Sequence, residues 1–308
     1  MKNYKYLYGP VPSRRMGLSL GISPIPKKNC NYSCIYCQLG RTDKMNAERK
    51  DFFPLEYIKA EFLYYIKRNS NYDVVTLVGE GEPTLYKSLG KLISFLKENT
   101  DKPVALITNG ALLKEKSIWK ELLPLDIILP SLDASNENEF KNINRPHPSI
   151  KYKEVIKGLI DFSDIFQGEL WLETMFVKNY NDNNESVERL KSILSKVSYD
   201  RLFLNTPVRP PAEKYAKEPE EDFLNFAVKS LKATPINLLV SEGFNSIESN
   251  HYDSILTIIK RHPMNQYEIK SFLENRNCDN YQEVFEKLNN SEDIEKIFYK
   301  GYNTFRIK

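Results

Sequence analysis

From Val74 onward the sequence alternates short apolar runs with amphipathic stretches, and this rhythm limits the fold more than any other feature. The runs Val74–Val78, Val104–Thr108, Ile127–Leu129, Leu170–Val177, Leu202–Asn205 and Ile236–Val240 have strand length. Between them lie helical patterns at Leu89–Leu96, Leu112–Leu122, 151–163, 184–197 and 219–232. Upstream, Leu18, Leu20 and Ile22 alternate as a strand, and Leu55, Ile58, Phe62 and Ile66 recur at helical spacing behind Pro54. Such alternation implies right-handed βαβ units, hence a parallel sheet covered by helices. Six or seven units without a glycine-rich dinucleotide fingerprint predict a partial (β/α)6-type TIM barrel, with function at the C-terminal ends of its strands.

The composition shifts near residues 245–251, so the barrel is expected over 1–245 and a small C-terminal domain over 246–308. There, Ile255, Ile258 and Ile259, then Tyr267–Leu273, then Val284–Leu288 suggest three helices. Phe298–Ile307 suggests a hairpin turning at Gly301 to Asn303. Three helices and a hairpin resemble a winged-helix module. No apolar run approaches the ~18–20 residues of a membrane span, and the N-terminus lacks the apolar stretch of a signal peptide. The expected location is therefore cytoplasmic, with no membrane partner.

The net charge of +3 is unevenly spread. The first fifty residues carry ten Lys/Arg against two Asp/Glu, whereas residues 251–308 carry nine of each. A basic start suits an anionic ligand or RNA phosphates, and equally a solvated surface.

Three of the four cysteines, Cys30, Cys34 and Cys37, fall within eight residues, and Cys278 stands alone. Disulfides would close loops along the chain, so the clustering points to metal chemistry. Four cysteines would close every iron of a cubane, whereas three leave one iron open. The alternative is a zinc site with a fourth ligand from His147, His251, His262 or Cys278, which would make the chain a non-enzymatic, metal-binding regulator.

The spacing C-x3-C-x2-C, with Tyr36 before the last cysteine, resembles the radical S-adenosylmethionine (SAM) superfamily signature. That resemblance implies a [4Fe-4S] cluster held by Cys30, Cys34 and Cys37, with SAM gripped at the open iron. It also implies reductive SAM cleavage to a 5′-deoxyadenosyl radical that abstracts hydrogen. Gly79-Glu-Gly-Glu-Pro-Thr84 resembles the family's Gly-Gly-Glu element, so Gly81 and Glu82 are expected at the SAM amino group, while Glu80 departs from that pattern. Asn109 and Ser131 end the next two strands and are either SAM contacts or local Asx turns and caps. Glu173 is a candidate for the barrel interior.

A narrower resemblance rests on Tyr8-Gly-Pro-Val-Pro-Ser-Arg14-Arg15, Tyr36-Cys37-Gln38-Leu39-Gly40-Arg41-Thr42 and Gly81-Glu-Pro-Thr-Leu85. Asn144-Arg145-Pro146-His147 and Asn205-Thr206-Pro207-Val208-Arg209-Pro210-Pro211 complete it. Together they are similar to uncharacterised radical SAM proteins grouped with wyosine-type tRNA synthases. Those synthases hold a second cluster on further cysteines, which this chain lacks. The resemblance therefore transfers mechanism better than substrate. A tRNA base is one substrate class; a protein, peptide or small metabolite is the other. Arg209 and His147, after the sixth and fourth strands, are candidate catalytic residues. Arg14, Arg15, Lys27, Lys28 and Arg41 flank the cysteine loop and would meet the SAM carboxylate, substrate phosphates, or a flavodoxin- or ferredoxin-type electron donor, or form a solvated rim.

Overall fold

The structure is a computed structural model that describes residues 4–236, 244, 246, 250–278 and 280–308. It opens with β1 (Leu7–Ser13) and β2 (Gly17–Ile22), an antiparallel pair. Two-residue strands β3 (Asn29–Cys30) and β4 (Lys44–Met45) pair across the cysteine loop. Then follow α1 (Leu55–Ile66), β5 (Val74–Leu77), α2 (Leu89–Asn99), β6 (Val104–Thr108), α3 (Lys116–Leu122) and β7 (Ile127–Pro130). The short α4 (Glu137–Glu139), α5 (Tyr152–Ser163), β8 (Glu169–Met175), α6 (Asn184–Leu194), β9 (Arg201–Asn205), α7 (Glu221–Leu231) and β10 (Thr234–Pro235) complete the rhythm.

The main sheet has the order β1-β2-β5-β6-β7-β8-β9-β10. From β2 onward every neighbouring pair is parallel. Strand order follows chain order without reversal, so each right-handed crossover steps the same way. A doubly wound sheet would reverse at a switch point. The fold is a partial barrel.

Strand periodicity sends alternate residues to opposite faces, and here both faces are apolar. Leu20, Val75, Leu106, Ile128, Leu172 and Leu202 pack with Phe62, Ile93, Leu96, Leu159 and Phe162 of the helices. Val74, Ala105, Ile127, Leu129, Trp171 and Phe203 form a separate cluster on the other face. Each fully buried Leu, Ile or Phe contributes ~1.5–3 kcal/mol, which makes the helix layer the main stabilising term.

Two parts differ from expectation. β1 was not foreseen, because Pro10 and Pro12 interrupt its pattern; proline has no N–H for a ladder, and β1 is accordingly an edge strand. The last expected strand, Ile236–Val240, is met only by β10 just ahead of it, since residues 237–240 lie outside the described residues. The expected domain boundary at 245 also lies outside them.

The tail contains α8 (His251–Ile259), β11 (Met264–Asn265), α9 (Gln266–Asn275), α10 (Tyr281–Asn290), β12 (Ile294–Tyr299) and β13 (Tyr302–Ile307). Its three helices stand where the periodicity puts them. The hairpin is longer than expected and turns at Lys300–Gly301, both in the left-handed region that a tight two-residue turn requires. The tail's core, with Ile255, Ile258, Met264, Phe272 and Phe305, also takes in Tyr8 and Val11 of β1. At the other edge Tyr299 donates to the Pro207 carbonyl at 2.6 Å, and Arg209 pairs with Glu268 at 3.1 Å. The tail thus spans the open side of the barrel. Cys278 is half-buried against its core.

Candidate functional site

The cysteine loop leaves the C-terminal end of β2 and is strapped down on several sides. Ser33 N donates to the Asn144 carbonyl at 3.0 Å, Ile35 N to Ile143 at 2.9 Å, and His147 N to Asn31 at 2.8 Å. Thr42 Oγ1 closes the loop on the Tyr32 carbonyl at 2.6 Å. Glu213 is buried and its N–H reaches the Ile35 carbonyl at 2.9 Å. Its carboxylate takes both Arg41 (2.8 Å) and Arg145 (2.6 Å), which holds its pKa below the ordinary carboxylate range.

The thiols face amide donors. Tyr32 N lies 3.4 Å and Asn109 Nδ2 3.7 Å from Cys30 Sγ, and Asn144 Nδ2 lies 3.6 Å from Cys34 Sγ. Burial pushes all three thiols up, and the nearby Glu82 and Asp133 carboxylates add to this at Cys30 and Cys34. A bound metal offsets such a bias toward the neutral thiol.

Glu82 is buried, and its N–H donates to the Asn29 carbonyl at 3.0 Å, one residue before Cys30. A methyl group at Gly81 would overlap that same carbonyl oxygen, so this glycine lets the two loops touch. Oε1 of Glu82 accepts from Thr84 N (3.0 Å), Thr84 Oγ1 (2.6 Å) and Thr108 Oγ1 (2.6 Å); among the described residues Oε2 accepts only from Asn109 N (2.8 Å). Burial raises the Glu82 pKa against these four donors. Asn109 also donates to Asn31 Oδ1 at 2.6 Å and caps Ala111 N at 3.0 Å, so it is both a local turn and a neighbour of Cys30. Tyr36 donates its hydroxyl to Asp133, whose carboxylate also accepts from Asn144 (2.7 Å) and Met175 N (2.9 Å). Ser131 bridges β6 and β8 through its backbone.

Tyr36 and Cys37 open onto a cavity of about 660 Å³. It runs through the barrel past Thr76, Glu173 and Asn205, and its outer wall is the tail, through His262, Glu268 and Tyr299. Glu173 faces the interior as expected and meets Arg15 there. Arg209 reaches the cavity, but its guanidinium is bound to Glu268, His262 and the Pro263 carbonyl. His147 stays outside, its ring bound to Ser149 at 2.8 Å. Glu80, the residue that departs from the glycine pattern, pairs with Arg261 at 3.3 Å and Lys260 at 3.7 Å.

The radical SAM superfamily model matches residues 25–190, more than half of the chain. The chain belongs to the radical SAM superfamily. The UPF0026 protein of Methanocaldococcus jannaschii is 35% identical over 302 residues, covering 96% of this chain and 93% of that protein. The GTPase Obg of Brachyspira hyodysenteriae is 40% identical over 229 residues, 74% of this chain, which spans only 34% of that protein. A solved structure of TYW1 with a lysine-pyruvate adduct bound aligns over 70% of this chain and 72% of its own, with a TM-score of 0.50 at 19% identity, a likeness of fold.

As a radical SAM enzyme the protein binds a [4Fe-4S] cluster and SAM, and the residues fit both. Asn31 Nδ2, buried next to Cys30, has no partner among the described residues and is a donor free for a ligand at the cluster position. A zinc site does not fit. Among the described residues no three His, Cys, Asp or Glu side chains sit close enough to hold one ion. The proposed fourth ligands are also engaged elsewhere or remote: His147 with Ser149, His262 with Arg209, and both His251 and Cys278 in the tail. No described helix is long and apolar enough to cross a membrane.

Sequence reading missed Asn31, Asp133, Asn144 and Glu213. Asn144 stood inside the motif Asn144-Arg145-Pro146-His147 and Asp133 two residues past Ser131, but their pairing with the cysteine loop is visible only in three dimensions.

Proposed function

We propose that this enzyme cleaves SAM reductively and abstracts hydrogen from a substrate held between the barrel and the tail. The observation that carries the reading is a strapped loop of three thiols opening onto a cavity that continues into the barrel. The cluster, when bound, supplies the electron that breaks a SAM C–S bond, giving methionine and the 5′-deoxyadenosyl radical. Cys30, Cys34 and Cys37 hold it. Oε2 of Glu82, with a single donor, keeps acceptor capacity for the SAM ammonium. Gly81, Asn109, Ser131 and Tyr36 are the further SAM contacts of this reading, of which Tyr36 lines the cavity, and a flavodoxin- or ferredoxin-type protein delivers the electron in the cytoplasm. In this division residues 1–245 do the chemistry and 246–308 recognise the substrate.

Of the substrate classes, a small metabolite or peptide side chain has more support than a tRNA base. Four of the ten basic residues of the N-terminal segment are neutralised internally: Arg15 meets Glu173, Lys28 Asp43, Arg41 Glu213 and Arg49 Glu121. Phosphate-backbone binding needs free cations on one face. Anaerobically reconstituted protein, reduced with dithionite, is expected to convert SAM to 5′-deoxyadenosine, measured by mass spectrometry. One zinc and no iron in that preparation overturns the proposal. Salt-sensitive retention on tRNA would restore the tRNA reading.

A further inference from the structure

Four arginines line the cavity: Arg14, Arg15, Arg209 and Arg261. Three have carboxylates of their own, namely Glu173, Glu268 and Glu80. Arg14 forms no ion pair among the described residues, although it is half-buried. The carboxylate that acts on it is Glu268, whose two oxygens already take Arg209, at 3.1 and 3.2 Å, and Asn265 N at 2.7 Å. Burial and the charge of Arg209 both push the Arg14 pKa down, so its cation is left in an unfavourable field. One positive charge is unmatched here.

Next to it stands His262. Burial and the charges of Arg209, Arg14 and Arg15 hold its pKa well below the ordinary value, so the ring is neutral. A guanidinium only donates, and Arg209 Nη2 lies 2.7 Å from His262 Nε2, so Nε2 accepts and the proton sits on Nδ1. The site therefore offers a cation and a neutral N–H donor.

We propose that this end of the cavity is a subsite for one anionic group of the substrate, a carboxylate or a phosphate, bound by Arg14 and the His262 Nδ1–H. The inference rests on the radical SAM reading of the same cavity and names the substrate chemistry. The turn that carries Arg14 and the cysteine loop lie at opposite ends of β2. Arg14 lies in the turn before β2 and the cysteine loop follows β2, and six strand residues at ~3.3 Å each set their backbones about 20 Å apart. The cations acting on Cys37 are Arg306 and Lys28.

The test is calorimetric titration of inorganic phosphate into anaerobically reconstituted protein, with and without saturating SAM. One site is expected, with affinity independent of SAM. Arg14→Gln should weaken it roughly tenfold or more, the loss of a charge-assisted bond, and Arg14→Lys should keep part of it. Three results overturn the subsite: no binding at tens of millimolar phosphate, equal binding by Arg14→Gln, or competition by SAM, which would assign the anion site to SAM itself. Formation of 5′-deoxyadenosine is scored separately on the unaltered protein, so SAM cleavage without phosphate binding refutes the subsite alone.

Discussion

Replacing Glu80 with glutamine tests whether the tail is a fixed wall of the cavity. The Glu80 and Arg261 side chains are 4% and 3% exposed, so the substitution leaves a buried guanidinium without its anion. Breaking one side of a buried pair costs ~3–5 kcal/mol. Arg261 retains the Lys5 carbonyl at 2.7 Å, the Thr257 carbonyl at 3.3 Å and the face of Tyr8 at 5.0 Å, which favours the low end, about 3 kcal/mol. Lys260, at 42% exposure, contributes little to the pair. At 1.4 kcal/mol per decade, undocking of the tail becomes about a hundredfold more frequent. Hydrogen exchange at the α8 amides reads this directly, because α8 carries Arg261 just past its end and packs on β1. Adding Arg261→Met should recover most of the protection, since no charge then remains buried. If Glu80→Gln exchanges within about threefold of the unaltered protein, or if the double variant is no better than the single, the latch reasoning fails.

Alanine at any one of Cys30, Cys34 or Cys37 should abolish the iron–sulfur absorbance and SAM cleavage; a variant that keeps both would remove that cysteine from the ligand set. Glu82→Ala should lose SAM binding while still taking up iron, and should also lose ~2–4 kcal/mol of stability, because Thr84, Thr108 and Asn109 keep buried donors without an acceptor; normal SAM binding by equilibrium dialysis would contradict the assignment. Gly81→Ala should displace the cysteine loop and lower the iron content per chain, because its methyl has no room against the Asn29 carbonyl. The Glu213 pKa is depressed in the fold by Arg41 and Arg145, so its contribution is present above the unfolded carboxyl pKa, ~4.3, and is lost as pH falls through the lower folded value. Glu213→Gln should therefore be less stable than the unaltered protein at pH 7, with the difference shrinking below about pH 4 in denaturant titrations; a pH-independent gap would refute the linkage.

The barrel was legible because period-2 and period-3.6 patterns report burial directly, and burial fixes both strand faces and helix stripes. β1 was not, because Pro10 and Pro12 remove its pattern and only an edge position tolerates them. The site divides along a similar line. Three cysteines with fixed spacing point to one chemistry wherever the chain goes, so Cys30, Cys34 and Cys37 stand out as proposed cluster ligands before any fold is known. Glu213 lies 172 residues from Arg41 and 68 from Arg145, and nothing local in the sequence marks their ion pairs. The same holds for the motifs at Asn144–His147 and Asn205–Pro211: read alone they are loop sequences, and in the fold the first straps the cysteine loop while the second docks the tail. Glu80 is the instructive case. Against the family pattern it is a glycine position filled by a carboxylate, a local rule broken without visible compensation. The compensation is Arg261, 181 positions along the chain by number, in the tail that closes the barrel. In this chain the Glu80–Arg261 pair therefore ties the loop after β5 to the tail, so a change at either residue is felt at the wall of the cavity.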